Sequence, residues 1–157
     1  MCIRDRGVLG RFALDFVAVR REGGAWETYA IEINLRKGGT THPFLTLQFL
    51  TDGRYDADTG VFSTPRGEPK CLVATDHLHS NLYRAFTHED LFDIAARHGL
   101  HFDQSTQKGV VFHMVNGVAE LGTLGLTAVG NTREEADALY QKMVVALDVE
   151  ANLALKA

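Results

Sequence analysis

The chain has 157 residues, a formal net charge of −4, 45% hydrophobic and 23% charged residues, the proportions of a folded globular domain. The acidic balance and the lack of any Lys/Arg run exclude a general nucleic-acid binder, and no apolar stretch approaches the ~20 residues of a membrane-spanning helix. Two cysteines, Cys2 and Cys71, make neither a disulfide framework nor a zinc pattern, so a reducing cytoplasm is the expected compartment. A chain of this size buries about 70% of its unfolded surface, enough for one domain or two small interlocked ones. Met1-Cys2-Ile3-Arg4-Asp5-Arg6 has no signal-peptide core. It resembles a translated sequencing-adapter scar, so residues 1–7 are expected to be a non-native leader ahead of a sequence that starts in mid-domain.

Residues 11–20 read as a strand with apolar Phe12, Leu14, Phe16, Val17 and Val19. Glu22-Gly23-Gly24-Ala25 is a turn, because two glycines supply positive φ at no steric cost. Residues 26–36 form the partner strand. Period two places Glu32, Asn34 and Arg36 on one face and Ile31, Ile33 and Leu35 on the other, toward a core. Across the turn Asp15 comes beside Glu32 and Asn34. Three hard oxygen donors at one spot suit Mg²⁺, which takes carboxylate oxygens and often bridges to phosphates. Arg36, one step along the same face, offers a planar fork for a carboxylate or phosphate. The competing reading is the solvated outer face of an antiparallel hairpin.

Gly38-Gly39-Thr40-Thr41 is a flexible loop, with Thr41 placed to cap a helix and Pro43 in its first turn. Residues 44–50 then read as a buried helix. A helix start flanked by two threonine hydroxyls can hold an anion; an ordinary capped helix is the alternative, and His42 suits substrate contact or, equally, capping or packing. Residues 52–60 are a polar stretch, read as a hairpin or surface loop, whose Asp56 and Asp58 miss the calcium-loop template, which wants Gly at its sixth position and Glu at its twelfth. Residues 61–63 and 71–76 read as strands around the turn Pro65-Arg66-Gly67-Glu68-Pro69. His77 with His79, and His98 with His101, are incomplete zinc sets, and Cys71 reads as a small buried residue. Thr87-His88-Glu89-Asp90 opens a helix in the manner of a capping box; Leu91, Phe92, Ile94 and Ala95 line its apolar side, and Gly99 ends it. Residues 108–115 and 124–129 are strands joined by a turn at Asn116-Gly117, the second weakened by Gly125, with His113 as a structural histidine. Thr132-Arg133-Glu134-Glu135 is a full capping box. The helix after it carries Ala136, Leu139, Tyr140, Met143, Val144 and Leu147 at core spacing and frays after Glu150. The second half thus reads strand, helix, strand, strand, helix, and the whole chain α+β.

An Asp on one strand, Glu32-Ile33-Asn34 on the next and Arg36 after it resemble the C-terminal metal-binding hairpin of the ATP-grasp ligases. The continuation Arg36-Lys37-Gly38-Gly39-Thr40-Thr41-His42-Pro43 is similar to the pheganomycin-type peptide ligases. The superfamily motif covers roughly residues 8–51. The resemblance implies residues 8–60 as the C-terminal portion of an ATP-grasp domain, its metal-binding hairpin and helix, followed by an appended β-α-β-β-α unit over residues 61–157. It implies a ligase that uses ATP to make an acyl phosphate from a carboxylate and joins it to an amine, an amino acid or peptide, in an amide or peptide bond. Asp15, Glu32 and Asn34 would hold two Mg²⁺ (or Mn²⁺), Arg36 would be catalytic, and Arg36, Gly38, Gly39, Thr40, Thr41 and His42 would bind substrate or phosphate. The family's phosphate-holding lysines and adenine-binding linker lie on a part expected in a missing N-terminal half of the polypeptide, so the isolated fragment is expected to be inactive.

Two other classes compete. One is a non-catalytic binding or interaction module with a solvated acidic hairpin. The other is a metal-dependent hydrolase or phosphotransferase with the same ligands, for which no positioned base is evident. The sequence names neither the acid nor the amine.

Overall fold

The computed structural model describes residues 11–156; the expected leader over residues 1–7 lies outside them. The chain is α+β and divides into two compact units between Phe44 and Leu45.

The first unit holds a two-stranded antiparallel sheet, β1 (Ala13–Arg20) and β2 (Trp26–Asn34). Gly23 and Gly24 take φ of 103° and 89°, the left-handed region that only glycine occupies cheaply. Arg21 N donates to Ala25 O at 2.9 Å and closes the turn. Register then follows from the turn, with Arg20 opposite Trp26, Val17 opposite Tyr29 and Asp15 opposite Glu32. Between Asp15 and Phe16 the pairing slips by one residue, leaving Ile31 as the extra residue of a β-bulge. The strict alternation expected for β2 therefore breaks at Ile31. The expectation that Ile31, Ile33 and Leu35 face a core is also corrected, since they are 65%, 63% and 63% exposed. A two-stranded sheet has no second layer of its own to cover an apolar face.

Helix α1 (Thr41–Thr51) follows. Its inner side carries Leu47 and Thr51, both buried, while Phe49 is 88% exposed; the expected buried helix is covered on one side. Thr51 Oγ1 donates back to Leu47 O at 2.7 Å. Of the hairpin or surface loop expected after it, the structure has the hairpin, β3 (Arg54–Tyr55) with β4 (Phe62–Ser63).

The second unit is built on a three-stranded antiparallel sheet: β5 (Cys71–His79), β6 (Gly109–His113) and β7 (Thr123–Gly130), in the order β5-β7-β6. The last strand in sequence takes the centre and is buried along nearly its whole length. Helix α2 (His88–Arg97) starts in a complete capping box between Thr87 and Asp90. It buries Leu91, Ile94 and Ala95, while Phe92 stays 56% exposed and meets Phe112 edge-on at 6.2 Å. A 3₁₀ turn over Asn81–Ala85 leads toward α2, and a short helix α3 (Val118–Leu121) follows the turn expected at Asn116-Gly117.

Helix α4 (Arg133–Ala154) runs 22 residues, past the expected fraying point at Glu150, because Ala151 is fully buried and anchors the last turns. Only half of its expected capping box forms. Thr132 Oγ1 accepts from Glu135 N at 3.1 Å, but the Glu135 carboxylate accepts from Asn131 N and from Lys108 Nζ, each at 2.7 Å. The core joins Tyr83, Leu91, Ile94, Leu124, Leu126, Met143 and Leu147.

Candidate functional site

The hairpin turn and register bring three of the expected residues together. Asp15 and Glu32 are a directly opposed pair, and Asn34 lies opposite Ala13, so all three side chains share one face. Asn34 Nδ2 donates to Asp15 Oδ2 at 3.0 Å. That bond fixes the amide, so its carbonyl oxygen is the end left for a ligand. Glu32 pairs with Asp15 through the strand backbone, and among the described residues its carboxylate makes no hydrogen bond or ion pair. Two carboxylates set opposite each other across strands repel; the amide donor offsets part of this, and a divalent cation would offset the rest. Two acids and an amide oxygen form a hard donor set compatible with Mg²⁺. No group of three or more His, Cys, Asp or Glu among the described residues is arranged to hold a metal.

The remaining expected residues lie beyond the strand. β2 ends at Asn34, so the alternation does not carry to Arg36, which sits in an exposed bend with Nη1 3.5 Å from Lys37 O. Gly38 and Thr41 close a tight turn. Thr41 N donates to Gly38 O at 2.9 Å and Gly38 N donates to Thr41 Oγ1 at 3.1 Å. The Thr41 hydroxyl thus accepts from the loop. Gly39 and Thr40 form the exposed turn between them, and His42 is exposed.

Further along the same hairpin face stands a cluster that the sequence reading misses. Arg21 Nε donates to Glu27 Oε2 at 2.9 Å, Arg21 Nη2 donates to Tyr29 Oη at 2.6 Å, and the Tyr29 hydroxyl donates to Glu27. Arg21 first, then Tyr29, hold the Glu27 carboxyl below its ordinary range. The available signal was Glu27 and Tyr29 in period two beside a turn flanked by Arg21.

Other candidates have local partners. Asp56 Oδ1 accepts from Asp58 N and Oδ2 from Thr59 Oγ1, both at 2.9 Å, and these bonds lower its pKa; its oxygens serve their own turn. His79 Nδ1 lies 3.0 Å from Thr123 Oγ1, and His98 Nε2 lies 3.0 Å from Glu150 Oε1. Lys70, which nothing in the sequence flags, is buried. Its Nζ donates to Asn131 Oδ1 at 2.7 Å and Thr106 O at 3.1 Å.

Comparison with known proteins adds to this geometry. Residues 90–143 match the family model of the PGM1 C-terminal domain, a stretch running from α2 into α4. Over 141 residues, 90% of this chain, the sequence is 28% identical to the L-propargylglycine–L-glutamate ligase of Streptantibioticus cattleyicolor. The chain spans 28% of that relative's length. No solved structure matches. No helix among the described residues is long and apolar enough to cross a membrane. The two matches support the resemblance carried by the hairpin motif: the chain is similar to the C-terminal part of an ATP-grasp carboxylate–amine ligase.

Proposed function

We propose that this chain supplies the cation-binding and acyl-phosphate side of an ATP-dependent ligase that joins a carboxylate to an amine. The observation that carries the reading is the opposed pair Asp15 and Glu32, with Asn34 bonded to Asp15 on the same exposed face. The name of the relative, a ligase of L-propargylglycine and L-glutamate, supports an amino acid on each side of the new bond. In this reading residues 8–60 belong to the ATP-grasp domain and residues 61–157 form an appended unit, with ATP as co-substrate in the cytoplasm.

Asp15, Glu32 and Asn34 would hold Mg²⁺, two ions, or Mn²⁺ in their place. When bound, the cations neutralise charge on a transferring phosphoryl group, a reaction that needs positioning more than covalent help. Glu32, directly opposite Asp15, has two carboxylate oxygens and would be the residue able to hold both ions. Asn34 orients Asp15 through its amide. A substrate carboxylate oxygen attacks the γ-phosphorus and ADP leaves; the amine then attacks the acyl carbon and phosphate leaves. Arg36 would bind the acyl phosphate and the oxyanion that follows. The turn formed by Gly38, Gly39, Thr40 and Thr41, with His42 next to it, would bring backbone and hydroxyl donors to the same anion.

The test is ADP release by a polypeptide that joins this chain to a nucleotide-binding half, with Mg²⁺ and a panel of carboxylates and amines. Amine-dependent release that falls at least about 100-fold in Glu32→Gln is the expected result. Release unchanged by Glu32→Gln removes Glu32 from the chemistry. The isolated chain is expected to bind Mg²⁺ weakly and release no ADP.

One observation favours a second reading, an interaction module. Phe16, Trp26, Ile31 and Ile33 on the hairpin are all more than half exposed, a cluster of the kind that marks protein contacts. Absence of ADP release from the joined polypeptide, together with capture of a partner that depends on Trp26, would select it.

A further inference from the structure

We draw no further inference here: the strongest candidate, the apolar groove of about 410 Å³ between the end of α2 and the middle of α4, lined by His98, Leu100, Lys142, Val145, Ala146 and Val149, carries nothing because nothing in the structure shows what covers it.

Discussion

The ammonium of Lys70 sits out of water with two neutral acceptors, Asn131 Oδ1 and Thr106 O. Its nearest carboxylate oxygen, on half-exposed Glu68, is 4.0 Å away. Burial is the largest cause lowering its pKa and nearby Lys108 adds to it, while Glu68 and Glu135 pull the other way. The neutral amine still has two hydrogens for the same two acceptors, so losing the proton sacrifices neither bond. Between the lowered folded pKa and the unfolded value near 10.4, the unfolded chain binds more protons than the folded one. Stability from this residue therefore rises with pH through that window and is lost as pH falls through the folded pKa. The expected outcome is a difference in unfolding free energy, wild type minus Lys70→Met, that grows between pH 7 and 10. Its slope should be no steeper than about 1.4 kcal/mol per pH unit. A difference that shrinks over that range would mean the charged form is the favoured one in the fold.

Tyr83 works in the opposite direction. It is 1% exposed, and its hydroxyl donates to Asp148 Oδ1 at 2.6 Å, tying the 3₁₀ turn to α4. Burial first, then the hydrogen bond to Asp148, push its pKa up. A phenol with a raised folded pKa holds its proton in the fold after the unfolded chain has lost it, so its contribution is complete below pH 10 and fades above. Tyr83→Phe should cost about 1–2 kcal/mol at neutral pH. It should also flatten the loss of stability above pH 10, read by urea titration at each pH. An unchanged alkaline limb would assign that limb to other groups.

At the scale of elements, the pairing of β6 with β7 depends on one missing side chain. His113 lies opposite Gly125, and a Cβ added to Gly125 would overlap the His113 imidazole ring. The sequence reading takes Gly125 as a weak point in a strand; in the fold it is the space the imidazole ring occupies. Gly125→Ala should lower stability by about 1–3 kcal/mol through overpacking. In a double-mutant cycle with His113→Ala, the two changes should couple by at least about 0.5 kcal/mol. Additive effects in calorimetric melts would show that the ring already has room elsewhere. What was legible in the sequence was local: the Gly23-Gly24 turn, the opposition of Asp15 to Glu32, the Thr87 and Thr132 caps and the α4 stripe all follow from residues near one another in the chain. What was not legible was set by distant partners. Lys108 lies 27 residues from Glu135 and takes its carboxylate from the capping box. The acceptors of the buried Lys70 ammonium lie 36 and 61 positions away. The bulge at Ile31 depends on how two strands register, not on either alone.

At the scale of the whole molecule, stability is expected to be unequal. In the unit from Leu45 onward, β7 is buried almost throughout and α4 lays Met143, Ala146, Leu147 and Ala151 into the core. In the hairpin, every residue of β1 and all but the last of β2 are exposed. A two-stranded sheet in that condition is marginally stable, because ladder hydrogen bonds without a buried face barely offset the entropy of ordering the chain. Its amides should open locally at free energies well below that of the core. Hydrogen exchange at neutral pH should therefore run at least about 100-fold faster for the amides of β1 and β2 than for those of β7, equivalent to about 2.7 kcal/mol. If Asp15, Glu32 and Asn34 hold a divalent cation, millimolar Mg²⁺ should slow exchange in both strands, because a ligand bound only to the paired strands stabilises their pairing by mass action. Glu32→Gln should abolish that slowing without changing the rates in β7. Hairpin amides as protected as β7 without Mg²⁺ would show that burial in this chain does not set local stability. A hairpin that opens quickly and ignores Mg²⁺ would leave the acid pair as a solvated surface and count against the ligand set.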